Sequence, residues 1–330
     1  MTILLKKFFE GRQAKLIEKI ISEFARENNL IYGIYGENNL TDLTLPYTPF
    51  VKYSSDFRTN PKLTMPNLKS IIVFGRSYGK KIGFENDNLL RANFSISAIE
   101  PDYHLVLKKL LQRLADKINF QFEYKIFVDT GPLNERLLAY KSGLGFVGKN
   151  QCIINDKFGS MFFIGYMMTN LNLKPTSLLK KNFCGACRKC IDACPSKALS
   201  ENRFDYRKCI SYLTQKSEKL SPDDIKIIGK QIYGCDVCQI VCPFNKMDNG
   251  KIIDINEKMP LIEEILLMSN KKLRAKYKNT TAGWKSNLFK RNAIVALINS
   301  GKLKEFMERP NLKLIIESEM KKWDIGIVED

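Results

Sequence analysis

Eight of this chain's nine cysteines form two closely spaced runs with one residue between them, and that spacing constrains the fold more than any other feature. The first run is Cys184-x2-Cys187-x2-Cys190-x3-Cys194-Pro195. The second is Cys235-x2-Cys238-x3-Cys242-Pro243, and Cys209 lies between the two. This is the bacterial ferredoxin spacing, in which three thiolates of a run hold one [4Fe–4S] cluster and the fourth reaches across to the other. The crossover assigns Cys184, Cys187, Cys190 and Cys242 to one cluster. Cys194, Cys235, Cys238 and one further thiolate would hold the second, with Cys209 the nearest candidate. A disulfide framework suits short secreted chains, whereas this one has 330 residues and opens Met-Thr-Ile-Leu-Leu-Lys-Lys without a signal peptide. Zinc could take two CxxC pairs, but the third cysteine and the Cys-Pro ending favour iron and sulfur. Cys152 stands outside the pattern in a strand-like stretch, 151–155, and reads as a buried core thiol. Thiols and clusters of this kind need a reducing compartment, so a cytoplasmic location is expected.

The length exceeds one ordinary hydrophobic core, so two or three domains are expected. No apolar run approaches the roughly 18–20 residues of a membrane span, so no membrane partner is expected. The net charge of +18 is high for an enzyme of small metabolites and points to a polyanionic partner. Its distribution sharpens the point. Between Lys271 and Lys304 the chain carries ten Lys or Arg and no Asp or Glu, interleaved with Tyr277, Trp284 and Phe289. Such a stretch is either a solvated helix face or a phosphate-binding surface.

Apolar periodicity divides the chain. Residues 11–28 carry a helical stripe of Leu16, Ile17, Ile20, Ile21, Phe24 and Ala25, followed by strand-like 30–35 and 70–75. A helix over 103–118 should turn Leu105, Leu107, Leu110, Leu111 and Leu114 inward. A strand at 124–129 leads to a helix from Thr130-Gly131-Pro132 to about Ser142, with Pro132 in its first turn and Gly143 as its stop. Strands near 151–155 and 160–168 complete an α/β (α+β) domain over 1–175. The double-cluster, ferredoxin-like module follows over 176–250, with a helix around 206–216. An all-helical region, 251–330, ends the chain and resembles a fragment of an α-solenoid. Nothing in the pattern demands more than a monomer.

Several phrases together resemble epoxyqueuosine reductase, the QueG family of queuosine biosynthesis. They are Asp102-Tyr103-His104, Ile126-Phe127-Val128-Asp129 followed by Thr130-Gly131-Pro132, GLGFVGKN (Gly143–Asn150), GSMFFIG (Gly159–Gly165), RKCISYLT (Arg207–Thr214), IYGCDVCQIVCPFN (Ile232–Asn245) and FKRNAIVALIN (Phe289–Asn299). The resemblance spans roughly residues 45–300. It implies a cobalamin-binding catalytic domain, two [4Fe–4S] clusters fed by an external low-potential electron donor, and a HEAT-like C-terminal region. It also implies reduction of the epoxide of epoxyqueuosine in the wobble position of a tRNA anticodon. Cys209 becomes the eighth cluster ligand by the same resemblance. One departure stands upstream of Asp102: Ile96-Ser97-Ala98-Ile99-Glu100-Pro101 occupies a place where the family commonly has an Arg-Tyr-Ala-x-Gly-Arg-like stretch.

The resemblance makes Asp129 the expected general acid, facing the cofactor from the end of its strand; position alone would equally allow it to cap the following helix. Acting as an acid requires burial beside an apolar cofactor to prevail over the helix N-terminus, which favours the carboxylate. The only histidine, His104, reads as a capping or surface group, and no Asp-x-His-x-x-Gly motif is present, so a base-off cobalamin is expected. Gly143, Gly145 and Gly148 would let backbone approach a large planar ligand, with Lys149 near its nucleotide tail. Ser211, Asp236 and Val237 are further candidates to touch the corrin. For the tRNA anticodon stem-loop the expected contacts are Lys285, Lys290, Arg291 and Asn292, projecting from a helix whose Ile294, Leu297 and Ile298 face a core. The competing readings are a corrinoid reductase of a small molecule, an electron-transfer protein, and an RNA-binding protein with structural clusters.

Overall fold

The computed structural model describes residues 3–40, 52–78, 82–83, 90–176, 181–201, 203–245, 253–254 and 259–326. The chain packs as two units, residues 1–79 with 103–187, and residues 80–102 with 188–330. The run Asp102-Tyr103-His104 therefore crosses a boundary, and residues 80–102 belong with the cluster-bearing half rather than with their sequence neighbours.

The first unit is built on a four-stranded sheet in the spatial order Leu30–Tyr35, Ser70–Ser77, Phe162–Thr169, Tyr124–Phe127. Every pairing is antiparallel, with Tyr32 opposite Phe74, Ile72 opposite Met167 and Ile126 opposite Met167. The two central strands read as unbroken apolar runs because both faces are covered. On one face Ile71, Val73, Tyr166 and Met168 pack with Leu137, Leu138 and Ala139 of the helix Glu135–Lys141. Towards the other lie the helices Ile3–Glu27 and Tyr103–Lys117, which contact each other and the strands. They bury Ile17, Ile21 and Phe24 from the first, and Leu107, Leu111 and Leu114 from the second. Leu105 departs from the expected stripe and is 63% exposed.

The expected helix from Thr130 starts later. Asn134 is its N-cap, its side chain accepting the Leu137 N–H at 3.2 Å, and the helix runs from Glu135 to Lys141. Pro132 lies in the preceding loop rather than in the first turn. Gly143 does end the helix region, with φ of +78°. The rest of GLGFVGKN forms a hairpin in which Phe146–Val147 pairs antiparallel with Ile153–Ile154. Cys152 lies in its bend and is half-buried, not a core thiol.

In the second unit the short helices Lys189–Asp192 and Val237–Ile240, one from each cysteine run, pack on one another. The helix expected around 206–216 is a 3-10 turn, Tyr206–Lys208, and a single turn, Ile210–Leu213. A helical array follows: Ile262–Leu267, Asn270–Tyr277, a 3-10 segment Thr281–Leu288, Phe289–Asn299, Leu303–Met307 and Pro310–Trp323. Phe289–Asn299 lies at its centre, touching four other helices of the unit and the strand Gln231–Tyr233. Residues 91–102 are stitched into this array. Ala92 N–H donates to Pro260 O, Ser95 N–H to Tyr233 O and Asp102 N–H to Asn279 O, at 2.7–2.9 Å. The divergent stretch forms the helix Ile96–Ile99, buries Ile96 and Ala98, and packs on Thr281–Leu288.

Candidate active site and cluster module

Asp129 follows directly on Val128, just past the end of the strand Tyr124–Phe127. Its φ is +60°, and the Thr130 N–H donates to Val128 O at 2.7 Å across it. This is a γ-turn of the positive-φ kind, a conformation that stores backbone strain of ~1–3 kcal/mol in a non-glycine residue. Two neighbours hold it. The Asp129 N–H donates to Glu135 Oε1 at 2.5 Å. The loop's far end is fixed by Tyr166, whose hydroxyl accepts the Leu133 N–H at 3.2 Å. Gly131 is required here because a Cβ would lie 2.2 Å from the Tyr166 hydroxyl. Burial, and then the charge of Asp129, push the Glu135 carboxyl well above the ordinary range; burial and the Glu135 charge do the same to the Tyr166 phenol.

The turn leaves the Asp129 side chain 58% exposed, with Oδ2 3.2 Å from His104 Nε2. Asp129 is thus no helix cap, since Asn134 fills that place. His104 is no surface group either. Its side chain is 12% exposed and its ring lies at the end of an aromatic stack. Its centroid is 4.1 Å from that of Tyr103, which lies 3.9 Å from Phe163, which lies 4.4 Å from Tyr78. His104 and Glu135 are the residues sequence reasoning missed. The signal for Glu135 was an acidic residue in the first turn of a helix and buried face, six residues after the acid; a lone histidine gives no comparable pattern.

The glycines of GLGFVGKN serve the hairpin. A Cβ on Gly145 would lie 2.2 Å from Ile154 O, and one on Gly148 would lie 2.5 Å from Ile154 Cδ1 and 2.7 Å from Asn150 Oδ1. The space before Gly148 is therefore filled by the chain itself. Lys149 is half-exposed beside it, and the amide nitrogen of the buried Asn150 has no hydrogen-bond partner.

In the cluster module, Cys194 belongs to a small core with Ile191, Ala198 and Leu199, against which Cys190, Cys209 and Cys238 pack. Burial pushes the Cys235 thiol up to about 11, and Cys209 and Cys194 lie close enough to raise it further. Burial also acts to raise Cys194, but hydrogen bonds from the Ser196 hydroxyl and from backbone N–H groups of Leu199, Ala198 and Ser196 prevail and lower it. Four sulfurs of one neighbourhood thus come from both runs and from Cys209. Among the described residues no three His, Cys, Asp or Glu side chains converge as ligands of a single metal ion. The thiolates of a cubane each bind a different iron and need no such convergence.

Asp236 is buried, and its Oδ2 accepts the Ile96 N–H at 2.6 Å; burial pushes its carboxyl up to about 6 against that bond. Its carboxylate is committed to the 91–102 segment. Val237 opens the helix after it and turns its N–H toward the Cys235 sulfur. The Ser211 hydroxyl accepts from Gln215 Nε2 at 3.2 Å.

Two of the four expected tRNA contacts are corrected by burial. Arg291 and Asn292 are both 0% exposed. The Arg291 guanidinium donates to Lys216 O, Glu218 O, Leu213 O and Asn292 Oδ1 at 2.8–3.2 Å, and Asn292 Nδ2 donates to Thr214 O and Ile232 O. They clamp the 213–218 loop and offer nothing to a phosphate. Lys290 is half-buried, which lowers its pKa, and Lys285 is half-exposed, with Nζ 3.4 Å from Ser217 Oγ.

The family described as "Epoxyqueuosine reductase QueG" matches residues 58–130, and a "4Fe-4S double cluster binding domain" matches residues 183–245. An epoxyqueuosine reductase from Lactococcus garvieae is 34% identical over 286 residues, covering 83% of this chain and 80% of its own. This chain belongs to the epoxyqueuosine reductase family. Among solved structures, the epoxyqueuosine reductase from Streptococcus thermophilus is similar with a TM-score of 0.79 and 30% identity, covering 95% of this chain and 90% of that one. An epoxyqueuosine reductase crystallised with an epoxyqueuosine-modified tRNA stem loop gives 0.80 and 29%, over 92% and 89%. The family is one of oxidoreductases, and residues 183–245 are its double [4Fe–4S] binding domain. Among the described residues no helix is long and apolar enough to cross a membrane.

Proposed function

We propose that this chain reduces the epoxide of epoxyqueuosine, in the wobble position of a tRNA anticodon, to the alkene of queuosine. The observation that carries the reading is an acid displayed on a strained turn, Asp129, paired at 3.2 Å with the chain's single histidine. Family membership and the stem-loop complex of a relative support the substrate.

The reaction consumes two electrons and two protons and releases the epoxide oxygen as water. The eight cysteines of the crossover assignment, Cys209 included, would hold two [4Fe–4S] clusters that pass single electrons from an external low-potential donor, and cobalamin, when bound, supplies a strongly reducing, nucleophilic cobalt centre. Asp129 gives a proton to the oxygen as its bonds to carbon break. His104 Nε2 then returns a proton to the Asp129 carboxylate, so the pair can serve both protonations. Glu135 holds the Asp129 peptide in place throughout.

For cobalamin, the unmet amide donor of Asn150 beside Lys149 suits a corrin rimmed with amides and carrying a phosphate tail. Ser211 and Val237 remain further candidates, whereas the Asp236 carboxylate is already engaged by Ile96. With the only imidazole paired to Asp129, none is left for cobalt, which accords with a base-off cofactor. Nitrogen superhyperfine coupling in the electron paramagnetic resonance spectrum would contradict it. We assign residues 1–175 to the cobalamin-binding catalytic domain, 176–250 to the cluster module and 251–330 to a HEAT-like tRNA-binding region, with residues 80–102 packed into the latter half. Lys285 and Lys290 are the remaining phosphate contacts of the original set.

The test is anaerobic reconstitution with iron, sulfide and cobalamin, followed by assay on epoxyqueuosine-containing tRNA by nucleoside mass spectrometry. Queuosine should appear, with about eight irons per chain. Cys209→Ser should retain only about four. Tight RNA binding without conversion by the loaded protein would overturn the reading.

A further inference from the structure

The basic stretch 271–304 interleaves three aromatics, and the structure treats them differently. Tyr277 and Phe289 are core residues, 6% and 0% exposed. They meet edge-to-face at 5.2 Å, and Phe94 stacks on Tyr277 at 5.6 Å. Trp284 is 58% exposed. It is nonetheless fixed: its indole N–H donates to Asp102 Oδ2 at 2.9 Å, and Asp102 is 4% exposed and itself anchored through its N–H to Asn279 O at 2.7 Å. A buried carboxylate thus holds the polar edge of the ring while the residue as a whole stays exposed. Gly283 brings this residue close to the helix Asn270–Tyr277, since a Cβ there would lie 2.2 Å from Tyr277 O. That helix and its exit expose Lys271, Lys272, Arg274, Lys276 and Lys278.

We infer that Trp284 is a stacking platform for an unpaired base of the RNA substrate, with the cations of 271–278 on the adjoining phosphates. The inference rests on RNA being the substrate. An exposed indole normally forfeits the stabilisation of burial, and fixing its orientation in advance reduces the entropy lost when a flat ligand stacks on it. Base stacking is indifferent to sequence, and cations beside it bind the backbone that carries the base. An acidic protein partner would use the lysines but gain little from a fixed aromatic face.

The test compares full-length reconstituted protein with Trp284→Ala and Trp284→Phe, using fluorescein-labelled RNA and anisotropy. One probe is a hairpin with an anticodon-type loop and the other a blunt duplex of the same length. Trp284→Ala should weaken hairpin binding by roughly 5- to 100-fold, the range of one lost base stack, and Trp284→Phe by much less. Duplex binding should not change. The salt dependence of hairpin binding should keep its slope in Trp284→Ala, because stacking releases no counterions, and should become shallower by about one in Lys276→Ala. Equal hairpin affinity of wild type and Trp284→Ala would overturn the inference, as would an equal loss on the duplex. So would a Trp284→Ala defect confined to binding of an acidic protein. Failure of the wild-type protein to bind the hairpin at all would instead sink the RNA reading beneath it.

Discussion

The loop from Val128 to Glu135 and the helix Phe289–Asn299 each carry charged side chains, but they dispose of them in opposite ways. In the loop, the Asp129 carboxylate is 58% exposed on a left-handed residue, with His104 against one oxygen. In the helix, the Arg291 guanidinium is fully buried and donates to the carbonyls of Leu213, Lys216 and Glu218 and to Asn292 Oδ1. A polar group whose hydrogen-bonding capacity is used up inside the fold contributes stability and specificity of packing. One held in a strained posture with an oxygen in reach of solvent retains capacity for a substrate. Both side chains are ionisable and of opposite sign; what decides their use is where the bonds go.

Exchanging the two roles by mutation should separate them most sharply at Asp129. Asp129→Asn keeps the shape and an acceptor toward His104 but cannot give up a proton. We expect turnover to fall by roughly 10²–10⁴-fold, with iron content and thermal stability retained because the side chain is exposed. Full activity in single-turnover assays would remove Asp129 from the chemistry. Arg291→Met should do the converse. It leaves carbonyls of Leu213, Lys216 and Glu218 without donors and should lower stability by about 3–5 kcal/mol. That corresponds to a fall in anaerobic melting temperature of about 10 °C. Folded molecules should turn over normally at low temperature. An unchanged melting temperature with a shallower salt dependence of RNA binding would instead restore Arg291 to the phosphate surface.

Sequence patterns reached some of this and not the rest, for physical reasons. The stretches 70–75 and 160–168 read as strands, and both are central strands of the sheet. The cysteine crossover came from the ferredoxin spacing alone, while the family phrases singled out Asp129 as the candidate acid and Cys209 as the candidate eighth ligand. Helix phase was misread at Arg291. At 3.6 residues per turn, Arg291 lies on the same face as Ile294 and Ile298, so the apolar pattern that marked the core also enclosed the arginine. The helix after Asp129 was started too early because Pro132 fits a first turn as well as a loop, whereas the cap at Asn134 becomes evident only from its bond to Leu137. Long-range placement was not legible at all. Residues 91–102 bond to partners far along the chain, as Ile96 does with Asp236, 140 positions away, and Asp102 with Trp284, 182 positions away, and no local periodicity encodes such partners.

The proposed proton path offers a finer comparison, between the loop and His104 of the helix Tyr103–Lys117 that faces it. His104→Gln keeps a hydrogen-bonding group near Asp129 but removes the ability to shuttle a proton at neutral pH. Turnover should fall by roughly 10- to 100-fold, less than for Asp129→Asn, since the acid remains and solvent can recharge it more slowly. The solvent isotope effect on turnover should rise as re-protonation becomes limiting. A loss equal to that of Asp129→Asn would mean that histidine acts on the substrate directly.

Glu135 gives the smallest and most diagnostic effect, because it shares features of both regions: desolvated like Arg291, yet bonded to the reactive turn. Its folded-state carboxyl is held well above the usual value by burial and by Asp129. The folded protein therefore keeps this proton at pH values where the unfolded chain has released it. Stability attributable to the group is fully present below the unfolded value and declines as pH rises through the folded one. Glu135→Gln retains an oxygen for the Asp129 N–H and has no proton to lose. The variant should melt at or slightly above the wild-type temperature at neutral pH, and the wild-type decline between acidic and neutral pH should flatten. Glu135→Ala should lose that oxygen as well, freeing the turn and lowering turnover without the pH signature. If Gln and Ala behave alike in both melting and turnover, the bond from Asp129 to residue 135 has no part in holding the acid in place.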